Sequence, residues 1–420
     1  MTNHLRLPRL LTCAVALVLG LAACATGSST PGEAATPSRA AVAPPSASTP
    51  TPCPSGGPTT AELGRLARLG PSSGVWVGMN LDWGSVTVAD AASQLDGPPA
   101  TVVTFVSFPL TADDTANLDA AAGQAGDAGA VLIVTLEPWD GLASVTDAAT
   151  ADLARLLAGF GAEGVPTIVR FAHEMNGSWY PWSQDPALYV ATFRRIADEV
   201  HATAPTAAML WAPNQGDGYP FAGGAYGASI DSPASRALDT DEDGRLGPGD
   251  DPYAPYWPGA SYVDWVGMSL YHWGATYPWG ANVVPAPGKF RQLITGSTSS
   301  GGASTPDFYA AYAERYDRPL AIVETAAFYR PGGGGAAGSA IKTAWLAQVF
   351  SADTRSRFPL LRIVNWFEWR KFEPEVDAVV DWRIAAEPTT RAAFLAGMTD
   401  GFSLGPAVPR GTRPEGCSTP

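Results

Sequence analysis

One glutamate lies in the segment of this sequence that is best suited to chemistry. The segment runs Arg170-Phe-Ala-His-Glu174-Met-Asn-Gly-Ser-Trp-Tyr-Pro-Trp182, so Glu174 is flanked by a histidine, an arginine and several aromatic residues. A carboxyl group crowded by apolar rings has a raised pKa because burial disfavours its charged form. Such a group can give a proton to a departing oxygen. We therefore predict that Glu174 is a general acid.

A second glutamate closes a short apolar run. Glu324 follows Leu320-Ala-Ile-Val, and no cationic residue is near it in sequence. Two carboxyl groups about 5–5.5 Å apart permit double displacement through a covalent glycosyl-enzyme. The two glutamates are far apart in sequence, so this chemistry requires a fold that brings them together.

Apolar runs of strand length recur along the chain, with helical patterns such as 185–204 and 338–350 between them. Continuous apolar runs are typical of strands buried on both faces, as in a parallel barrel. Eight such runs predict an α/β fold, a single (β/α)₈ TIM barrel. The runs are 75–80, 101–108, 130–137, 167–174, 207–214, 263–271, 320–324 and 362–368.

In this fold the active site lies at the carboxyl ends of the strands, so polar residues that close apolar runs are informative. Glu174, Glu324, Glu137, Asn214 and Tyr271 occupy such positions. We interpret Glu137 as a solvated or salt-bridged residue, because an isolated glutamate at a strand end usually is. The others are candidates for the site.

The segment from His173 to Trp182 closely resembles the acid/base motif of glycoside hydrolase family 26, the β-mannanase family within the barrel clan of retaining glycosidases. Further segments resemble the family in order along the chain. They are Trp211-Ala-Pro-Asn214, the run from Val263 to Tyr271, Ile322-Val-Glu324 and Asp381-Trp-Arg383.

The resemblance implies a role for each matching residue. Glu174 would be the acid/base, Glu324 the nucleophile, and Tyr271 the tyrosine that hydrogen-bonds the nucleophile. A tryptophan of strand eight, Trp366 or Trp369, would be the platform for the bound sugar. The other substrate-binding candidates are Arg170, His173, Asn176, Trp179, Trp182 and Asn214.

The resemblance implies a retaining enzyme that cleaves a neutral β-linked polysaccharide, with an endo-β-1,4-mannanase as the first candidate. β-Xylan and mixed-linkage β-glucan are alternative substrates, and a surface glycan-binding protein without turnover is an alternative function.

The chain has 40 acidic and 26 basic residues, and this net charge of −14 disfavours nucleic acid as a partner. No paired-histidine motif suggests a catalytic metal, so we expect no cofactor for catalysis. We expect a monomer.

The N-terminal region predicts export. Two arginines precede an apolar stretch from Leu10 to Leu21, which is typical of a secretory signal. The following Leu-Ala-Ala-Cys24 resembles a bacterial lipobox, in which the cysteine carries the lipid. We predict a signal peptide over 1–23, a disordered Ser/Thr/Pro/Ala linker over 24–58 and the catalytic domain over 59–420. The protein would face outward on the cell membrane through its lipid, or be secreted.

Two cysteines, Cys53 and Cys417, remain outside the signal region, one on either side of the barrel. In an oxidising compartment they are expected to form a disulfide, and two free thiols are the alternative.

One acidic segment has the spacing of a calcium loop. The run from Asp239 to Asp250 places aspartates at positions 1, 3, 5 and 12 and a glycine at position 6. This is the spacing of an EF-hand-type loop, with aspartate where glutamate is usual at position 12. We predict a structural calcium site, and an acidic surface loop without metal is the alternative. The candidate residues are Asp239, Asp241, Asp243, Arg245 and Asp250.

Overall fold

A computed structural model describes residues 57–229, 232–274, 280–296, 305–399 and 401–409 of the chain. These residues lie within one compact unit, 54–420. The predicted signal peptide and nearly all of the predicted linker lie outside the described residues, as do Cys24, Cys53 and Cys417, so these expectations remain predictions. Among the described residues, no helix is both long and apolar enough to cross a membrane.

Eight parallel strands follow one another around a closed barrel, and β1 pairs with β8 to complete it. The predicted (β/α)₈ barrel is therefore confirmed. The strands are β1 (Val75–Leu81), β2 (Thr101–Ser107), β3 (Val131–Glu137), β4 (Thr167–Phe171), β5 (Ala207–Trp211), β6 (Trp265–Ser269), β7 (Leu320–Thr325) and β8 (Leu361–Glu368).

Helices cover the outside of the barrel, and several begin at a threonine that caps the first turn. Thr59, Thr87 and Thr111 each accept a hydrogen bond from the amide three residues later, and the acidic residue there bonds back. The helices are α1 (Thr60–Leu69), α2 (Val88–Gln94), α3 (Ala112–Ala128), α4 (Asp147–Ala162), α5 (Pro186–Thr203), α6 (Pro233–Leu238), α7 (Lys289–Thr295), α8 (Gly338–Val349), α9 (Ala352–Arg357) and α10 (Pro388–Ala396).

The apolar residues form two clusters because alternate residues of a strand point to opposite faces. One cluster fills the barrel and includes Ile133, Ile168 and Leu210. The larger cluster lies between the strands and the helices. Helix α1 closes the amino end of the barrel, where the indole nitrogen of Trp265 donates to the carbonyl of Ala67 at 2.6 Å. The carboxyl end is left for the site.

Four strands end earlier than the apolar runs predicted: β2 by one residue, β6 by two, and β4 and β5 by three. Strand β4 ends at Phe171 rather than at Glu174, and β5 ends at Trp211 rather than at Asn214. The reason at β4 is the backbone: Ala172 and Glu174 have φ values of 45° and 54°, which a strand cannot contain. Glu174 therefore lies on a turn above the barrel.

Three strands were not among the eight predicted runs. Strands β9 (Arg370–Glu373) and β10 (Ala378–Asp381) form an antiparallel hairpin directly after β8, and β11 (Phe402–Ser403) pairs parallel to the beginning of β1. Because the hairpin follows the carboxyl end of β8, it extends the wall of the barrel mouth.

Candidate active site

A cavity of about 380 Å³ opens at the carboxyl ends of the barrel strands. Carboxyl groups and aromatic rings share its wall, which suits a ligand with polar groups and apolar faces. The residues that line it include Phe105, Glu137, His173, Glu174, Trp179, Tyr180, Asn214, Tyr271, Trp273, Glu324, Phe367, Trp369, Lys371, Glu373 and Trp382.

Glu324 is held in place through both of its carboxylate oxygens. The hydroxyl of Tyr271 donates to Oε2 at 2.5 Å, and the buried guanidinium of Arg170 forms an ion pair with Oε1. Burial raises the pKa of Tyr271 well above its usual value, and the charge of Glu324 raises it further, so the hydroxyl stays a donor. Two fixed donors to a carboxylate leave it poised for attack on an electrophilic carbon.

Glu174 has a different environment, although it lines the same cavity. The indole nitrogen of Trp179 donates to its Oε2 at 3.0 Å, and its backbone N–H donates to the carbonyl of Ala212 at 3.1 Å. Burial raises the pKa of Glu174 to about 7, and the negative charge of Glu324 adds to the rise. A carboxyl group with a pKa near 7 can act first as an acid and then as a base.

Ser269, at the end of β6, connects the two glutamates and was not predicted from the sequence. Its hydroxyl accepts a hydrogen bond from Nη2 of Arg170 at 2.7 Å and hydrogen-bonds Glu174. Arg170 thus contacts Glu324 directly and Glu174 through one hydroxyl. The sequence signal that could have found it is the spacing, because Ser269 lies two residues before Tyr271 in the same predicted run, and alternate residues of a strand share a face.

The predicted binding residues divide between the cavity wall and the layer behind it. His173, Trp179, Asn214, Tyr271 and Trp369 line the cavity, whereas the remaining candidates do not. Those behind the wall are Arg170, Asn176, Trp182 and Trp366, and all four are fully buried.

Two of the residues behind the wall join segments of the backbone. The amide group of Asn176 donates to the carbonyl of Asn214 and accepts from its N–H, both at 2.8 Å. The indole nitrogen of Trp182 donates to the carbonyl of His173 at 2.7 Å. The contacts of Asn176 hold the loop after β4, which carries Glu174, against the segment after β5, and the contact of Trp182 lies within that loop.

His173 presents an uncharged ring to the cavity. Its Nε2 lies 3.3 Å from the hydroxyl of Tyr180, and Nδ1 has no partner among the described residues. Burial lowers the pKa of His173 well below its usual value, and the positive charges of Arg170 and Lys371 lower it further. The ring can therefore exchange neutral hydrogen bonds with a ligand.

The two tryptophans of strand eight face different environments. Trp366 is buried and donates from its indole nitrogen to the carbonyl of Trp382 at 2.9 Å. Trp369 comes just after the strand, lines the cavity and stacks on Phe367 with a ring separation of 5.7 Å. Of the two platform candidates, only Trp369 is in the cavity wall.

Glu137, which we interpreted as a solvated or salt-bridged residue, also lines the cavity. Burial raises the pKa of Glu137 to about 7, although the hydrogen bond from Trp139 acts to lower it. Lys371 and Glu373 of β9 lie in the same wall and had no signal in the sequence, because they belong to a hairpin outside the barrel repeat.

The structure groups part of the predicted calcium set. Carboxylate oxygens of Asp239, Asp241 and Asp243 lie within 4.8 Å of one another. Asp250 is apart from this group and accepts hydrogen bonds from amides of its own loop. Arg245 donates its backbone N–H to the Oδ1 of Asp243 at 2.8 Å.

A closed parallel barrel with two carboxyl groups of unlike environment at its mouth is an arrangement that barrel glycosidases use. The sequence comparisons find similarity to one family. The model of glycosyl hydrolase family 26 matches residues 132–230, which include β4 and Glu174. Endoglucanase H of Acetivibrio thermocellus is 24% identical over 284 residues, which are 66% of this chain. These matches confirm the predicted resemblance to glycoside hydrolase family 26.

Solved structures share the fold at lower identity. A modular endo-β-1,4-mannanase from Cellulomonas fimi has a TM-score of 0.54 at 16% identity, covering 86% of this chain and 80% of that one. GH26C from Muricauda sp. has a TM-score of 0.52 at 14% identity, covering 84% and 91%. The present chain spans only 25% of the length of endoglucanase H.

Proposed function

We propose that this chain hydrolyses a neutral β-linked polysaccharide with retention of anomeric configuration, and that β-1,4-mannan is its substrate. One observation carries the proposal: Glu324, paired with Arg170 and Tyr271, shares a cavity with Glu174, whose pKa is about 7. Such a pair suits double displacement.

In the first step, an oxygen of Glu324 attacks the anomeric carbon while Glu174 gives its proton to the glycosidic oxygen. The bond between that carbon and oxygen breaks, and the shortened chain leaves. In the second step, Glu174 takes a proton from water, the water oxygen attacks the same carbon, and the ester to Glu324 breaks. Two inversions give net retention.

The name of the Cellulomonas fimi relative supports mannan as the substrate, and the name of endoglucanase H favours a β-glucan as the alternative. β-Xylan is a further candidate, and glycan binding without turnover is the alternative function. The aromatic rings of Trp179 and Trp369 in the cavity suit the apolar faces of any of these sugars.

A substrate panel tests this proposal. We expect the purified protein to release reducing sugars fastest from β-1,4-mannan when it is assayed beside β-xylan and mixed-linkage β-glucan. Proton NMR at early times should show the β-anomer of the product. Faster release from another polysaccharide would change the assigned substrate. An α-anomer as the first product would contradict the retaining mechanism, and binding without release would favour the non-hydrolytic alternative.

The pKa of Glu174 predicts the alkaline side of the pH profile. Because the first step needs the protonated acid, kcat/KM should be highest below pH about 7 and decrease as the pH rises through that value. The same assay on a Glu174→Ala variant with an activated aryl glycoside should lack this decrease. Since Glu137 has a similar pKa, a Glu137→Gln variant that kept the decrease would assign it to Glu174.

We also propose a structural calcium ion in the loop from Asp239 to Asp250. The grouped carboxylates of Asp239, Asp241 and Asp243 support it, as does the buried Oδ1 of Asp239, which has no donor among the described residues. In this proposal Asp250 does not bind the ion, and it holds the loop closed by accepting hydrogen bonds from the backbone N–H groups of Thr240 and Gly247.

Calorimetry on chelator-stripped protein tests the calcium site. Calcium at 100 times its Kd should stabilise the fold by about 2.7 kcal/mol and raise Tm. An Asp241→Asn/Asp243→Asn variant should bind no calcium, while Asp113→Asn, a carboxylate in the first turn of α3, should behave as wild type. Absence of both heat and Tm shift in the wild type would contradict the proposal.

We also propose that the protein is exported and anchored to the membrane by a lipid on Cys24, and the resemblance to a lipobox supports this. Metabolic labelling with a fatty acid in a bacterial host should label the wild type and not a Cys24→Ala variant.

A further inference from the structure

Glu137 lines the cavity, and the described part of the protein gives a hydrogen bond to only one of its two carboxylate oxygens. The indole nitrogen of Trp139 donates to Oε2 at 3.2 Å, and the backbone N–H of Trp139 donates to the carbonyl of Glu137 at 2.9 Å. Within the described part of the chain, no hydrogen bond reaches Oε1. This turn at the end of β3 therefore fixes a carboxylate oxygen that is left to accept from a ligand.

The ring of Trp139 beside it is 49% exposed, which is unusual for so large an apolar group. It is nevertheless held, because it makes edge contacts with Tyr180 at 5.8 Å and with Trp182 at 5.2 Å. An indole ring that is fixed on one side and exposed on the other suits the apolar C–H face of a sugar.

Lys371 of β9 supplies the complementary donor. It lines the same cavity, and its ammonium group lies 3.3 Å from Glu373 and 5.5 Å from the ring centre of Phe367. The group is close enough to Glu137 to lower the pKa of that carboxyl. A fixed acceptor and a fixed donor in one wall match hydroxyl groups, which both give and accept hydrogen bonds.

We propose that Glu137, Trp139 and Lys371 form a second sugar subsite, which binds a neutral residue of the substrate chain beyond the one that Glu324 attacks. An anionic sugar would meet the carboxylates of Glu137 and Glu373 there, and a cationic one would meet Lys371. The proposal rests on the proposed polysaccharide substrate and adds where that chain continues. It makes Glu137 a specificity-determining residue.

Chain-length dependence of binding tests the subsite. A catalytically inactive Glu324→Gln protein is titrated calorimetrically with oligosaccharides of two to six residues, prepared from the polysaccharide that the wild type degrades fastest. Affinity should rise with length until the subsite is filled. With Glu137→Gln or Trp139→Ala added, the long oligosaccharides should lose about tenfold in affinity, as expected for one lost hydrogen bond to a charged group or one lost stacking contact, and the shortest should lose least.

The matched control is Asp140→Asn, which removes an exposed carboxylate three residues from Glu137 and should leave every affinity unchanged. Equal losses at all lengths would show a structural role for Glu137 and overturn the subsite, as would no loss at any length. If the wild type degrades none of the polysaccharides, the proposed function fails instead, and that outcome is recorded before any Glu137 variant is compared.

Discussion

Replacing Glu324 with alanine is expected to reduce hydrolysis of every substrate to background, because no covalent intermediate can form without its carboxylate. The loss should be on the order of 10⁵- to 10⁶-fold in kcat, the scale seen when an enzyme nucleophile is removed. A substrate with a good leaving group should not recover the rate, since attack on the anomeric carbon is missing in either case. Initial rates on the best polysaccharide and on an activated aryl glycoside measure the effect.

Folding must be separated from chemistry in this variant. Alanine at position 324 leaves the buried guanidinium of Arg170 without its carboxylate partner, and a broken buried pair costs about 3–5 kcal/mol. Glu324→Gln keeps the shape and a hydrogen-bond acceptor, so it should lose activity with less loss of stability. Glu163→Gln, an exposed position after α4, is the matched control. A folded Glu324→Gln protein with wild-type turnover would show that Glu324 is not the nucleophile.

Replacing Glu174 with alanine should have a more selective effect. Polysaccharide hydrolysis should slow by about 10²- to 10⁴-fold, the usual contribution of general acid–base catalysis. An activated aryl glycoside needs no proton for its leaving group, so it should give a burst of product and then stall at the glycosyl-enzyme. The reason for the stall is that no base remains to deprotonate the incoming water.

Azide distinguishes this role from mere loss of structure. It is a nucleophile that needs no general base, so it should restore turnover of the stalled Glu174→Ala intermediate and yield a β-glycosyl azide. The same addition should not restore Glu324→Ala in this way, because that variant forms no intermediate. An α-glycosyl azide from Glu174→Ala, or wild-type activity on polysaccharide, would reject Glu174 as the acid/base.

Local patterns in the sequence predicted the barrel, which the structure confirms, and singled out the two carboxyl groups as candidates. Runs buried on both faces and separated by helices have few other arrangements, and each of the eight runs corresponds to a barrel strand, although four of these strands end earlier than predicted. Glu174 was singled out by the motif around it, and Glu324 because it closes an apolar run; the fold collects strand ends at one face. Tyr271 followed from the family resemblance, and its hydroxyl donates to Glu324.

Other features were decided only by the tertiary structure, because they depend on contacts between distant segments. Arg170 was expected to bind substrate, yet it pairs with Glu324, 154 residues away. The sequence could not distinguish Trp366 from Trp369 as the sugar platform. Trp366 is buried within β8, whereas Trp369 follows the end of β8 and lines the cavity. Glu137 could be assigned to the cavity only after the closed barrel placed β3 beside β4 and the β9–β10 hairpin brought Lys371 to the same wall. Sequence spacing reports the face and the end of a strand, whereas the partner of a side chain is set by the strand, loop or hairpin that packs against it.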